Sequence, residues 1–215
     1  MTVEHVEFLV EEPSMEAFLR GILPRILDKI SFEVYPSQCK DEFLDSLPKR
    51  LRGYASWLPE SWRIVIVIDR DREDCHDLKE KLEDWATSAG LLTRSQSVDR
   101  RYSVVNRLAI EELEAWYFGD WEAVCQAYPR VSPNVVVRGK YRDPDAVRGG
   151  TWEAFERVLQ SKGYFKGGLR KIEAARVLSQ LVEPDRNRSR SFKVFHAALV
   201  EMTSSIDDSE HQGKN

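Results

Sequence analysis

The sequence has few of the residues that build disulfide-rich or zinc-binding proteins. It contains three cysteines, an odd number scattered along the chain, and four histidines without ligand spacing. These counts argue against a disulfide framework and a zinc site, and they favour reduced thiols. No apolar run approaches the roughly 20 residues of a membrane span, and the first residues do not resemble a signal peptide. We therefore expect a cytoplasmic protein without a membrane partner.

The small net charge of −4 conceals two regions of opposite sign. Residues 1–120 carry 16 Lys and Arg against 24 Asp and Glu, whereas residues 121–199 carry 15 against 8. An acidic region beside a basic one is typical of a metal-dependent site that acts on a polyanion. The alternative is that basic helices only neutralise the acidic half within the fold.

The clearest strand in the sequence ends in two aspartates. Residues 64–68 are an unbroken β-branched run, which indicates a strand buried on both faces of a parallel sheet. Asp69 and Asp71 follow it. If the extended geometry continues, both carboxylates converge at the carboxyl end of the strand, where ligands bind in open α/β sheets. Such a pair favours Mg²⁺ or Mn²⁺, and a solvated acidic loop is the alternative.

Two further predicted strands also end in acidic residues. Residues 5–10 lead into Glu11, and a strand at residues 103–110 leads into Glu111 and Glu114. The last two are three positions apart, so we expect them to share a helical face. Three acidic clusters after three strands predict a metal site at one edge of a sheet. Acidic residues that merely favour a helix start are the alternative.

The second half of the chain carries candidates for nucleic-acid binding. Residues 129–150 form a predicted basic loop, and residues 183–191 a polar turn between the last two of three predicted helices. The arginines, hydroxyls and amide of this turn suit phosphate, whereas a solvated connector and a capped turn are the structural alternatives. The candidate nucleic-acid-binding residues are Arg138, Lys140, Arg142, Lys166, Arg188 and Arg190.

These patterns divide the chain into three parts. Residues 1–128 are a predicted α/β core, with a mostly parallel sheet flanked by helices. Residues 129–206 are predicted to form the basic loop and a C-terminal helical extension packed on that core. Residues 207–215 have the composition of a disordered tail.

The order of these elements resembles the Toprim domain of topoisomerases, primases and OLD-type nucleases. Residues 10–14 look like a variant of that family's Glu-Gly turn, and residues 68–71 match its Asp-x-Asp motif. Residues 111–116 look like the acidic helix of small stand-alone Toprim-like proteins. Residues 187–192 are also similar to such proteins, which often sit beside an ABC- or SMC-like ATPase. The resemblance implies a Toprim-like (Rossmann-like) fold.

The resemblance also implies roles for the acidic residues. Glu11 would be the acid/base group or the first metal ligand. Asp69 and Asp71 would hold the Mg²⁺ or Mn²⁺ cofactor. Glu114, together with Glu111, would complete a second metal site.

Two features of the resemblance are inexact. Toprim domains usually place glycine after the first Glu, where the backbone approaches the phosphate, but Glu12 stands there in this chain. The added negative charge either recruits a second cation or marks a changed or lost activity. The late lysine of OLD-type nucleases has two candidate equivalents, Lys171 on a predicted helix and Lys166 in a Gly-rich turn.

The implied function is metal-dependent cleavage of phosphodiester bonds in DNA or RNA, as the effector of an ATPase-coupled, phage-defence-type system. No tyrosine is placed as a nucleophile, so hydrolysis is favoured over strand passage. One alternative is a catalytically silent Toprim-like subunit that binds an ATPase partner or nucleic acid. Another is a phosphatase-like hydrolase of the haloacid dehalogenase type, whose motif is normally followed by Thr or Val where this chain has Arg72. Homo-oligomerisation stays open.

Overall fold

A sheet of four parallel strands, in the order β2-β1-β3-β4, forms the centre of the molecule. The structure is a computed structural model that describes residues 2–71, 73–99, 101–137 and 139–204. The strands are β1 (His5–Val10), β2 (Ser31–Pro36), β3 (Trp62–Asp69) and β4 (Val104–Ala109). Because the strands are parallel, successive strands are joined by crossovers that run back over a face of the sheet.

Helices supply these crossovers and form the C-terminal part. The α-helices of the described ranges are α1 (Pro13–Leu27), α2 (Lys40–Ala55), α3 (Cys75–Ser88), α4 (Glu114–Gly119), α5 (Trp121–Ala127), α6 (Thr151–Gln160), α7 (Lys171–Leu181) and α8 (Arg190–Thr203). Three short 3₁₀ turns lie in the predicted basic loop, at Pro133–Val137, Gly139–Tyr141 and Pro144–Ala146. None of the described helices has both the length and the apolar composition needed to cross a bilayer.

β3 is buried on both faces because its side chains alternate between two apolar layers. Ile64, Ile66 and Ile68 pack in a cluster with α2 and α3. Val65 and Val67 belong to a larger cluster with α1 and the C-terminal helices. Burial on both sides explains why an unbroken β-branched run, rather than alternation with polar residues, marks this strand. The predicted α/β class and the parallel, helix-flanked sheet are confirmed, and the arrangement is consistent with a Toprim-like or Rossmann-like fold.

The C-terminal helices pack on the face of the sheet that α1 covers. A Cβ at Gly21 of α1 would come within 1.9 Å of Ser179 Oγ on α7, so glycine is needed for the two helices to approach this closely. Arg25 donates to the carbonyl of Ser179 at 2.6 Å. Lys171, at the start of α7, lies beside Glu12, which immediately precedes α1. The two helices are therefore parallel and begin at the same edge of the sheet.

Candidate functional site

Acidic residues that follow different strands meet at the carboxyl edge of the sheet. β1 and β3 are paired with Val10 opposite Val67, so Glu11 emerges beside the end of β3. The backbone N–H of Asp69 donates to Glu11 Oε2 at 3.1 Å. The structure therefore brings Glu11 and Asp69 together, as the parallel topology requires.

Asp69 is a buried carboxylate that lacks a full set of partners. It is only 5% exposed, and its Oδ1 has no hydrogen-bond partner among the described residues. Burial, followed by the charges of Glu11, Glu12 and Glu114, raises the pKa of Asp69 well above its ordinary value. An ionised carboxylate here would need additional donors or a cation to stabilise it.

Glu114, the first residue of α4, has the same deficit. It is 1% exposed, and its Oε2 is buried without a described partner. Burial raises the pKa of Glu114 to about 7, although the nearby Lys171 acts in the opposite direction. Tyr117 follows on the same helix, and its buried hydroxyl is also unpartnered in the described part of the chain. Burial and then the charge of Glu114 raise the pKa of this phenol well above its ordinary value.

Two lysines bring positive charge to these carboxylates. Lys171 Nζ lies 3.7 Å from Glu12 Oε2. Burial alone would lower the pKa of Lys171, but the charges of Glu114 and Glu12 outweigh it and raise the pKa. Lys40, the first residue of α2, donates to the carbonyl of Asp69 at 2.7 Å. Both ammonium groups therefore stay protonated beside the acidic edge.

The chain does not keep the extended geometry on which the Asp-x-Asp prediction depends. β3 ends at Asp69, and Asp71 has a φ of +52°, in the left-handed region that strands do not use. The Asp71 carboxylate accepts a hydrogen bond from Lys40 at 2.8 Å, and the same ammonium lies 2.8 Å from Glu73. Burial, opposed by Lys40 and assisted by Asp71, raises the pKa of Glu11 to about 7. Asp71 therefore lies near Glu11, but it already has a cationic partner.

The prediction that Glu111 and Glu114 share a helical face is wrong, because α4 begins only at Glu114. The carboxylate of Glu111 instead pairs with the guanidinium of Arg70. The side chain of Glu112 reaches the first residue of α6. Its Oε2 accepts hydrogen bonds from the N–H and the hydroxyl of Thr151, at 3.0 and 2.7 Å. These two carboxylates have partners within the fold, and the ligand role of Glu111 stays a prediction.

Glu11, Asp69 and Glu114 are the residues best suited to hold a divalent cation. In the described part of the chain, no group of three or more His, Cys, Asp and Glu residues already forms a metal-binding arrangement. The chemistry of the donors nevertheless fits, since Asp69 Oδ1 and Glu114 Oε2 are buried carboxylate oxygens without partners and such hard oxygens match Mg²⁺ and Mn²⁺. Coordination would require these side chains to move closer together.

A family model described as "Domain of unknown function (DUF4276)" matches residues 10–200. The chain belongs to the DUF4276 family. No curated protein sequence matches it. Among solved structures, the C-terminal region of the Xanthomonas campestris pv. campestris OLD protein is similar, with 16% identity and a TM-score of 0.41, over 93% of this chain and 95% of that one. A similarity of this strength supports no statement about function.

In this DUF4276 protein, much of the predicted phosphate-binding turn serves the fold. The hydroxyls of Ser189 and Ser191 each donate to Asp145 at 2.8 Å, and the Asn187 amide donates to a main-chain carbonyl at 2.9 Å. Arg138 lies outside the described residues. The other predicted nucleic-acid-binding residues, all exposed, are Lys140, Arg142, Lys166, Arg188 and Arg190. Their role stays a prediction.

Sequence reasoning missed two residues of the site in this DUF4276 chain, although each has a recognisable signal. Lys40 begins the helix after β2, and in a parallel sheet such helices begin near the carboxyl edge. Tyr117 comes three positions after Glu114, the spacing that places two side chains on one helical face. Both signals depend on first knowing where the acidic edge lies.

Proposed function

We propose that the protein is a divalent-metal-dependent hydrolase that cleaves phosphodiester bonds in nucleic acid. The observation that supports this most is the pair of buried, unpartnered oxygens, Asp69 Oδ1 and Glu114 Oε2. Two carboxylates buried close to each other are costly unless they are protonated or share a cation. A divalent ion would supply the missing partner at the edge of the sheet where ligands bind in α/β folds.

In this proposal, Asp69, Glu11 and Glu114 are the metal ligands, and Asp71 and Glu111 are secondary candidates that must first exchange their basic partners. These residues would hold a Mg²⁺ or Mn²⁺ ion, which would supply charge neutralisation for the phosphate and a water of lowered pKa. Asp69 and Glu114 are held on the end of β3 and the start of α4. Their backbones are therefore held by the core, and their side chains would have to move closer together to form the site.

The two lysines are placed to hold the substrate. Lys171 is 31% exposed and lies beside Glu12, so its ammonium is accessible from the acidic edge. Lys40 is 16% exposed and is anchored by Asp71. An ammonium group can donate to a phosphate oxygen without losing its proton. We propose that Lys171 contacts the phosphate and that Lys40 positions the loop carrying Asp71.

The charge of the chain supports a nucleic-acid substrate. The region that supplies most of the acidic edge is negative, whereas residues 121–199 carry 15 Lys and Arg against 8 Asp and Glu. Exposed basic residues of that second region would bind the phosphate backbone, which gives affinity without choice of sequence. The ATPase partner, the phage-defence role, the choice between DNA and RNA, and the oligomeric state stay predictions.

The first test measures metal binding and does not depend on activity. Thermal unfolding of the wild type is recorded with and without Mg²⁺ or Mn²⁺, beside Asp69→Asn, Glu114→Gln and the control Asp45→Asn, whose side chain is 84% exposed. Saturating metal at about 100 times Kd stabilises a single-site protein by about 2.7 kcal/mol. We expect the melting temperature to rise in the wild type and in Asp45→Asn, and not in the two site variants. A rise of equal size in all four proteins refutes the metal site.

The second test measures cleavage of plasmid, single-stranded DNA and RNA by the same four proteins. Loss of cleavage in Asp69→Asn and Glu114→Gln, with Asp45→Asn active, is the expected result. Hydrolysis of p-nitrophenyl phosphate without cleavage of nucleic acid would instead favour the phosphatase-like alternative.

The catalytically silent subunit is the second candidate, and one observation favours it. The ammonium of Lys40 already lies at 2.8 Å from both Asp71 and Glu73, and Lys171 lies beside Glu12. Built-in ammonium groups can replace a metal ion as counter-ions for carboxylates. If no protein in the series binds metal or cleaves, while the wild type still binds nucleic acid, this candidate replaces the hydrolase.

A further inference from the structure

A cleft that combines an apolar surface with several basic side chains lies at the β4 edge of the sheet. Its volume is about 490 Å³, which falls within the ~300–1,000 Å³ typical of small-ligand sites. It is enclosed by β4 and by the first turns of α3 and α8, and we call it the β4 cleft. Its basic lining residues are Arg70, His76, Lys79, Arg107 and Arg190.

Arg107 is the most informative of these residues. It lies on β4, and burial lowers the pKa of its guanidinium. Its Nε is buried without an acceptor among the described residues, while another nitrogen donates to the carbonyl of Asn106 at 2.8 Å. No described carboxylate forms a salt bridge with it. The charges of Glu83 and Glu201 favour the cation without outweighing its burial, and an anion in the cleft would remove the remaining cost.

The other charges of the β4 cleft do not supply this anion. Lys79 is already neutralised by Glu83 at 2.6 Å. Asp145, the acidic residue of the lining, accepts hydrogen bonds from the start of α8, including the Ser191 hydroxyl at 2.8 Å. The guanidinium of Arg190 is exposed and has no ion-pair partner in the described ranges. Arg107 and Arg190 therefore bring to the cleft, from different elements, two guanidinium groups that form no salt bridge with a described carboxylate.

Asn106 lines the cleft and has a buried acceptor without a described donor. The residue is 1% exposed, and its amide nitrogen donates to Glu83 Oε1 at 2.9 Å. Because a carboxylate only accepts, this contact fixes the orientation of the amide. Its Oδ1 is then an acceptor, buried and without a described donor. Because Oδ1 has almost no solvent exposure, an N–H or O–H group of a ligand would reach it only after the Asn106 side chain turns towards the cleft.

We propose that the β4 cleft binds a nucleotide through its phosphate. Arg107 and Arg190 contact the phosphate oxygens, because guanidinium groups match phosphate geometry. Asn106, once its side chain turns towards the cleft, accepts a hydrogen bond from a sugar hydroxyl or a base amino group. The nucleotide is either free or the phosphorylated end of a strand, since both present the same chemistry. This inference goes beyond the proposed hydrolysis and is independent of the metal site, because none of the proposed metal ligands takes part; Arg190 is shared with the predicted nucleic-acid-binding residues.

Calorimetric titration of the full chain tests this proposal. The probes are the four nucleoside 5′-monophosphates, the matching nucleosides and inorganic phosphate. We expect at least one monophosphate to saturate the wild type, with its nucleoside at least tenfold weaker. Arg107→Gln and Arg190→Ala should each weaken binding at least tenfold. Arg52→Ala, an exposed arginine of α2, and Asp69→Asn should bind like the wild type.

Two results overturn the proposal. One is the absence of saturable binding by every monophosphate, and the other is wild-type affinity in Arg190→Ala, a variant whose exposed side chain can be removed without disturbing the core. Retained binding in Asp69→Asn distinguishes this site from the proposed metal centre. Competition by a 5′-phosphorylated tetranucleotide, but not by its 5′-hydroxyl form, assigns the ligand as a strand end. If neither tetranucleotide competes with the monophosphate, the ligand is assigned as a free nucleotide.

Discussion

Two buried aspartates of this protein have opposite surroundings. Asp120 is 1% exposed, and it accepts two hydrogen bonds from the guanidinium of Arg186, at 2.7 and 2.9 Å, and one from the N–H of Glu183 at 2.8 Å. Asp69 is 5% exposed, but one of its oxygens has no described partner. The fold completes the surroundings of Asp120 and leaves those of Asp69 incomplete.

The same contrast extends to other buried and half-buried carboxylates. Those that connect C-terminal elements, Glu112, Asp120 and Asp145, have several donors each. Those at the carboxyl edge of the sheet are short of donors and have raised pKa values, as in Glu11, Asp69 and Glu114. A satisfied buried carboxylate stabilises a fold, whereas an unsatisfied one stays available to a ligand. The comparison therefore separates structural carboxylates from candidate functional ones.

The largest effect should come from giving both aspartates the same substitution. Asp120→Asn removes the charge that pairs with Arg186, so we expect a loss of about 3–4 kcal/mol in the free energy of unfolding. Asp69→Asn removes a charge that burial and like charges disfavour, so stability should stay the same or increase. Urea denaturation at pH 8 without divalent metal measures both. An equal loss in the two variants would break the comparison, and the exposed control Asp45→Asn should change stability by less than about 0.5 kcal/mol.

A somewhat smaller effect is expected in the pH dependence of the free energy of unfolding. Burial raises the pKa of Glu114 from 4.5 to about 7. Between these two pH values, the folded state therefore keeps a proton on Glu114 that the unfolded state has lost. The free energy of unfolding should therefore fall as pH rises from about 5 to 8. Glu114→Gln should remove up to about 3 kcal/mol of this fall, since one pKa unit corresponds to about 1.36 kcal/mol.

Denaturation curves at several pH values between 5 and 8 check this prediction. The control is Glu80→Gln on the exposed face of α3, which should retain the wild-type slope. If Glu114→Gln also retains the full slope, the carboxyl of Glu114 is not the group that titrates.

The smallest effect should come from substituting Glu83, a carboxylate that has several hydrogen-bond donors. Burial disfavours ionisation of Glu83, but hydrogen bonds from Lys79, Ser95, Thr93 and Asn106 outweigh it and lower the pKa to about 2. Its stabilising contribution is present above pH 4.5 and is lost as pH falls towards 2. Because the site is partly solvent-screened, we expect Glu83→Gln to cost about 1 kcal/mol at pH 7. Thermal unfolding at pH 7 and pH 3 should show this difference shrinking at the lower pH; a constant difference would contradict it.

Parts of the site were predictable from the sequence because they depend on strand topology alone. Glu11 follows β1 and Asp69 is the last residue of β3, and the ends of such neighbouring parallel strands meet at one edge. The partner of Asp71 was not predictable. The backbone leaves the extended conformation at Asp71, with a φ of +52°, and Lys40 lies on a different crossover helix, α2. Glu111 was misplaced because the helix begins three residues later than the spacing suggested.

By itself, the sequence determined the α/β class, the positions of the strands and the edge at which the acidic residues collect. Side-chain periodicity is a local property, and strands that alternate with helices form a parallel sheet whose strands end at one edge. Only the tertiary structure decided which carboxylates and guanidinium groups lack partners. Burial and hydrogen bonding depend on segments that are distant in the chain, as Lys171 beside Glu12 and Arg190 in the same cleft as Arg107 show. The candidate sites are therefore products of packing, built on strand ends that the sequence alone identifies.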